Sequence, residues 1–554
     1  MGAGVRALAA RRAQGAGRRS RGPAPRGAGA SAAGRGAIGS RAVDIDARAQ
    51  RLTLIACILG SAIVFVDQTV VNVALPSLRA DLGASLADQQ WVVESYLLLL
   101  ASLVLVGGSL GDLYGRRRIF AIGVAGFGAA SLICAMAPSM VLLIAARALQ
   151  GAFGALLVPS SLAIITAVFG PDERPAAIGS WTAGTSAAIA VGPPLGGLLV
   201  DALSWRVIFA MNVPLVLVCL WLIARAVPEC PGDRSHRIDV PGAILCALGL
   251  AGPVYALIQQ PALGWADPEV WAAMLAGVGA FGAFVAYERR APDPMLPLSV
   301  FASRNFAIGN LVTFVVYAGL GAATFFIALF LQQVAGYSAF EAGVSLLPIT
   351  LILVTLARRF GALSARVGPR LPMTAGPLIG GLGLLAFARL DERAEYVTQV
   401  LPASLLFGLG LAITVAPLTA TVLQAADRRH AGVASGVNNA IARVAGLLAI
   451  AAVGAIVSAQ FAAQVGVRLP PERLDPAARA YVRDARERPL TVPAGAVAPR
   501  VRAEVRDASV SAFRTGMVVS ALLMIAGAIL AAAGIENPRR AHDATPPLPE
   551  AAPV

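Results

Sequence analysis

Lysine is absent from all 554 residues, so the 45 basic side chains are all arginine. That absence excludes a Walker-type phosphate loop and a lysine Schiff base, and with them ATP hydrolysis at such a loop and pyridoxal chemistry. Charge of either sign is scarce: 14% of residues are charged while 57% are hydrophobic, too apolar a balance for a soluble globular chain of this size. Histidine is nearly missing as well. His236, His430 and His542 all fall in polar connections, which leaves carboxylates as the proton carriers available inside a membrane. Of the five cysteines, Cys57, Cys134, Cys219 and Cys246 lie in apolar stretches and Cys230 in a polar one. Their spacing suggests neither a disulfide framework nor a metal site.

What the chain does have is long apolar runs. At about 20 residues per bilayer crossing, fourteen spans are expected, near 52–75, 90–110, 118–137, 140–160, 176–200, 206–226, 240–260, 269–287, 306–330, 342–358, 371–390, 397–421, 432–458 and 513–535. Residues 1–51, rich in Gly, Ala and Arg, read as a disordered basic tail, without a twin-arginine signal at Arg18 and Arg19. Arginine placement sets the expected orientation, because positive charge in short loops stays cytoplasmic. Alternate loops hold Arg116, Arg117 and Arg118, then Arg174, then Arg225, Arg234 and Arg237, with further groups at 289–304, 358–370 and 428–429. The intervening short loops hold only Arg79, Arg206, Arg389 and Arg393, so both termini are expected inside. The charged stretch 459–512 then falls outside as a long loop.

One motif occurs twice. "GSLGDLYGRRR" (Gly108 to Arg118) follows the second span and "GALSARVGPR" (Gly361 to Arg370) follows the tenth, with Gly108, Leu110, Gly115 and Arg117 matched by Gly361, Leu363, Gly368 and Arg370. Asp112 becomes Ala365 in the second copy. Glycines permit a tight turn with close backbone packing, and Arg116 and Arg117 are placed to pair with Asp112 or to cap carbonyls. A duplicated loop at equivalent places suggests two six-helix bundles related by an axis along the membrane normal. The expected organisation is an N-terminal bundle over 52–226, a linker with two inserted helices over 227–305, a C-terminal bundle over 306–535 and a tail over 536–554.

With "RALQGAFGA" from Arg147, "VGPPLGG" from Val191, "WRVIFAMNVP" from Trp205, "DPMLPLSVFASRNF" from Asp293 and "VDQTVVNVALP" from Val66, the chain resembles the fourteen-span drug:proton antiporters of the major facilitator superfamily. The resemblance covers nearly the whole membrane portion. It implies an all-α polytopic fold and proton-driven efflux of hydrophobic, often cationic, compounds by alternating access. No cofactor, metal, nucleic acid or enzymatic step is implied; the bilayer, protons and a small substrate are the expected partners of a monomer. Arginine without lysine suggests a high-GC bacterial gene, hence a bacterial cytoplasmic membrane.

Individual residues follow from this reading. Asp67, with Gln68 and Asn72, is expected to face protein or a wet cavity, since a carboxylate in lipid costs several kcal/mol; its role would be proton binding. Glu94 is a second carboxylate, either beside the same cavity or wet at the outer interface. In the resembling family an acid here accompanies export of cations. The buried guanidinium of Arg147 demands Asp67 or Glu94 as partner, and the resemblance assigns it to proton coupling. Gly192, Pro193, Pro194, Gly196 and Gly197 form the stretch that the family associates with antiport, readable as a hinge or a dry seal. Arg443 needs an anion or water nearby, and no acid lies deep in the second half. Phe314, Tyr317, Phe325, Phe326 and Phe330 offer an aromatic wall for a ligand, with a lipid-facing row as the plainer reading. An exporter of one endogenous metabolite or antibiotic, and a sensor or scaffold that transports nothing, are the competing expectations.

Overall fold

The computed structural model describes residues 46–537 except 171–172, 230–238, 293, 295, 297, 426–430, 488 and 493–496. Most of the 1–51 tail, most of the 536–554 tail, and His236, His430, His542 and Cys230 therefore lie outside the described residues. Among the described residues all regular structure is helical. This is what a bilayer demands: without water to satisfy them, backbone amides and carbonyls must pair within each segment.

The first half holds α1 (Ala47–Leu82), α2 (Leu86–Tyr114), α3 (Arg116–Ala135), α4 (Met140–Val168), α5 (Arg174–Ala202), and a sixth crossing split into α6 (Trp205–Ala210) and α7 (Asn212–Ala226). Then come α8 (Val240–Leu263) and α9 (Pro268–Glu288). The second half comprises α10 (Arg304–Gln333), α11 (Ala339–Ser345) with α12 (Leu347–Val367), α13 (Arg370–Phe387), α14 (Leu401–Gln424), α15 (Ala431–Arg468), α16 (Pro476–Glu487) and α17 (Pro499–Gly534). Among the described residues thirteen stretches are long and apolar enough to span, and α2, bent by 51° between Val104 and Val106, makes a fourteenth if its two parts form one span. Ends are set locally. The Ser85 hydroxyl and the Asp88 carboxylate cap each other's backbone amides at the start of α2, Ser338 and Glu341 do the same for α11, and Gly83 closes α1 at φ 66°.

The sequence expectation needs correction in one place. The stretch 459–512 is not an extended loop: α15 continues to Arg468, α17 already starts at Pro499, and α16 lies between them. Helices of 38 and 36 residues reach about 55 Å, well past a hydrocarbon core of about 30 Å. Between α16 and α17, Thr491 is buried and joins both halves: its hydroxyl accepts from Arg79 Nη1 at 2.6 Å and donates to Gln333 Oε1 at 2.7 Å.

Within the first half α1 packs on α4, α5 and α7, and α4 also packs on α2 and α3; within the second, α10 packs on α14, α15 and α17, and α13 on α14 and α17. The halves meet along α5 with α11 and α2 with α15. The α8–α9 hairpin lies across the second seam, with α8 touching both α2 and α15. Hydrogen bonds between halves cluster at the end carrying the α1–α2 turn. There Gln90 Nε2 donates to the Ile450 carbonyl at 2.8 Å, Gln333 Nε2 to Gln89 Oε1 at 3.1 Å, and the amides of Ala339 and Phe340 to the Asp201 carboxylate at 3.1 and 2.8 Å.

Candidate functional site

Asp67 sits a little past the middle of α1 and is 0% exposed. Arg147, on α4 and 1% exposed, donates from Nη1 to its Oδ2 at 2.5 Å. Its Oδ1 accepts from Gln150 Nε2 at 2.9 Å and from Asn212 Nδ2 at 3.1 Å. The guanidinium is held in turn by Gln150 Oε1 at 2.7 Å, by the Val92 carbonyl at 3.0 Å from Nε, and by the Tyr96 ring, 4.2 Å from its carbon to the centroid. Ser131 on α3 accepts from Gln150 at 2.8 Å and Asn212 at 3.3 Å and passes its own proton to the Phe127 carbonyl at 2.8 Å. Five crossings thus converge on one carboxylate. Three donors, one of them cationic, compensate a charge that would otherwise be prohibitively costly to bury.

Of the two partners open to Arg147, the structure selects Asp67. Glu94 is also 0% exposed, so it is not a wet residue at an interface, and it stands apart from the network: both of its oxygens lack a hydrogen-bond partner among the described residues. It lies on α2 one turn beyond Gln90, the residue that meets α15. Gln68 and Asn72 are half-buried, and Asn72 Oδ1 is buried without a partner among the described residues. Phe325 and Phe326, expected as a ligand wall, are 1% and 0% exposed and pack edge to face at 4.9 Å; Phe330 stacks on Phe513 at 4.0 Å. In this conformer those three rings are packed core, neither pocket wall nor lipid-facing row.

Sequence reasoning missed Gln150, Asn212 and Ser131 as site residues. A signal was there, since Gln150 and Asn212 are polar residues inside the quoted stretches "RALQG" and "WRVIFAMNVP". Ser131 carried none, because a serine satisfies itself on its own helix.

The repeated loop forms a tight helix-to-helix turn in both copies, with Gly115 at φ 97° and Gly368 at φ 89°, a region that L side chains avoid. Gly108 lies against Pro159 of α4. Asp112 pairs with Arg116 at 2.9 Å, and Arg116 also reaches the Ala163 carbonyl at 3.0 Å. Arg117 binds Glu229 at 2.5 Å. In the second copy, where alanine replaces the aspartate, Asn537 accepts from the Arg370 amide at 3.1 Å. Along α5, a Cβ on Gly192 or Gly196 would strike Thr69 and Val70 of α1 at 2.0 and 2.5 Å, and one on Gly197 would strike the Ala339 carbonyl at 2.4 Å. Gly343 answers from α11, its missing Cβ 2.4 Å from the Pro193 carbonyl. The glycine–proline stretch is therefore a backbone-to-backbone contact between the halves.

Among the described residues, an all-helical bundle of thirteen or fourteen crossings in two packed halves, with a buried ion-pair network in one, is the architecture of a secondary transporter. The chain belongs to the Major Facilitator Superfamily, whose family model matches residues 57–450. It is 34% identical over 490 residues to the tetracenomycin C resistance and export protein of Streptomyces glaucescens, covering 87% of this chain and 90% of that one. It is 33% identical over 520 residues to multidrug resistance protein Stp of Mycobacterium tuberculosis (92% and 96% covered) and 38% over 403 residues to puromycin resistance protein pur8 of Streptomyces alboniger (72% and 80%). Among solved structures it is similar in fold to a bacterial homologue of the human lysosomal transporter Spinster in an inward-facing, unoccupied conformation, with TM-score 0.63, 18% identity, and coverage of 88% and 97%.

Proposed function

We propose that this protein is a proton-coupled exporter that carries hydrophobic, often cationic, drugs or toxic compounds out of the cytoplasm by alternating access. The observation that carries the reading is the Asp67–Arg147–Gln150–Asn212 network: a carboxylate wholly enclosed and held by side chains from separate helices. In the conformer described, the α1–α2 end is closed. Taking the arginine-rich α2–α3 end as cytoplasmic, this is an outward-closed state in which Asp67 is paired with Arg147. Opening the α1–α2 end would loosen Arg147 from Asp67 and let the carboxylate take up an external proton. Returning inward re-forms the pair, expels the proton and readies the site for substrate. The α5–α11 glycine contact is the seam that opens and closes.

The protein would work as a monomer without a cofactor in a bacterial cytoplasmic membrane, both termini inside. The names of its relatives support drug export, and those named for one compound, tetracenomycin C or puromycin, favour as second reading an exporter of a single antibiotic. Inside-out vesicles with an acidic lumen provide the test. Adding a lipophilic cation should release lumenal protons, read by a pH-sensitive dye, and Asp67→Asn should abolish the release. A folded protein that answers no member of a cation panel would sink the multidrug reading.

A further inference from the structure

Arg443 is a cation outside the transport network, without a salt bridge among the described residues. It lies on α15 about 18 Å along the helix from Ala431, too deep for a lipid headgroup to serve it. Its Nη1 is buried and has no hydrogen-bond partner among the described residues. Arg443 lies seven residues, two turns, before Ile450, whose carbonyl meets Gln90 of α2, so it shares the face of α15 turned to α2, the helix that carries Tyr96. The Tyr96 ring covers Arg147 and its hydroxyl donates to the Val64 carbonyl at 3.3 Å. Asp67, the acid of the first-half network, is committed to Arg147. Glu94 is not the missing anion, because its oxygens contact no donor among the described residues. Among the described residues of the second half, Glu341 starts α11, Asp391, Glu392 and Glu395 precede α14, and Glu504 and Asp507 lie in the first three turns of α17. Arg443 is half-buried with its Nη1 enclosed, and a carboxylate is the acceptor such a guanidinium suits best.

We infer that Arg443 is a binding residue for an acidic group, a carboxylate or a phenolate, carried by a hydrophobic substrate that enters between the halves. The inference deepens the export reading and rests on it. It adds a substrate class, amphiphilic acids and amphoteric compounds, to the cations expected from the carboxylates. The acid would dock on Arg443 from the second half while its apolar body lies against Tyr96 of the first, so the substrate itself bridges the two moving units.

The test uses the full-length protein in lipid nanodiscs with three probes of one shape: naphthylacetate, the neutral naphthylacetamide, and a naphthylmethyl-trimethylammonium salt. The wild-type protein should bind the acid about 10- to 100-fold more tightly than the amide, the range of one charge-assisted hydrogen bond. Arg443→Gln should erase that preference, while Arg443→Lys should keep part of it. Equal affinity of the wild type for acid and amide would overturn the inference without any variant, and so would a preference surviving in Arg443→Gln. Full competition by acetate alone would also overturn it, assigning the site to a small anion. If the acid preference holds but cations release no protons in vesicles, the coupling reading fails and this one stands; the reverse result separates them the other way.

Discussion

Replacing Asp67 by asparagine removes one charge and changes almost nothing in shape. The asparagine carbonyl can still accept from Gln150 and Asn212, which now bond Oδ1 at 2.9 and 3.1 Å. What is lost is the anion facing Arg147 Nη1, leaving a 1% exposed guanidinium with Gln150 Oε1, the Val92 carbonyl and the Tyr96 ring. Breaking a buried pair by removing one partner costs about 3–5 kcal/mol, and three surviving contacts place this case near the lower end. Removing both charges in Asp67→Asn/Arg147→Gln deletes the orphan, so the double variant should recover most of that loss. A double-mutant cycle on the thermal midpoint of the purified protein, read beside proton release in vesicles, separates stability from coupling. The expected pattern is a destabilised, uncoupled single variant and a stable, uncoupled double variant. An Asp67→Asn protein as stable as the wild type would refute the reasoning, because Arg147 would then have found another counter-ion or water.

Two further outcomes follow from particular contacts. Gly197→Val places a branched carbon against main chain, 2.4 Å from the Ala339 carbonyl and 2.5 Å from Phe340 Cα, a clash present only when the α1–α2 end is shut; overpacking of about 1–3 kcal/mol should shift the population open. A cysteine at Thr491 should then label faster with an impermeant maleimide, and an unchanged rate would contradict the seam. Asp391, in the turn between α13 and α14, accepts from Gln399 Nε2 at 3.0 Å and from the amides of Arg393 and Ala394 at 2.9 and 3.0 Å, which hold its carboxyl below the usual carboxylate range. A depressed value means stability present above the unfolded pKa of about 3.9 and lost as pH falls through the folded one. Asp391→Asn should therefore lower the thermal midpoint at pH 7, with the difference closing below about pH 4; a difference that persists there would show the loop is held some other way.

The sequence alone determined the class and the span pattern of this protein, because a bilayer imposes a length and a polarity that any apolar run either meets or fails. It also made Asp67 and Arg147 conspicuous, since charge in such a run must have a reason. The doubled glycine–arginine loop was legible because a positive φ leaves glycine as nearly the only choice. Only the tertiary structure decided which carboxylate Arg147 holds, as helix rotation settles that and an apolar run with little amphipathic pattern does not encode it. The same holds for Glu94, set on a different face of α2 from Tyr96, and for the phenylalanines of α10, whose spacing fits a pocket wall and a packed core equally well. Thr491 was out of sequence reach, since it sits beyond the spans and joins Arg79 and Gln333 from positions 412 and 158 residues away. Periodicity specifies which residues share a helix face; which face meets which neighbour is fixed when the helices pack against one another at once.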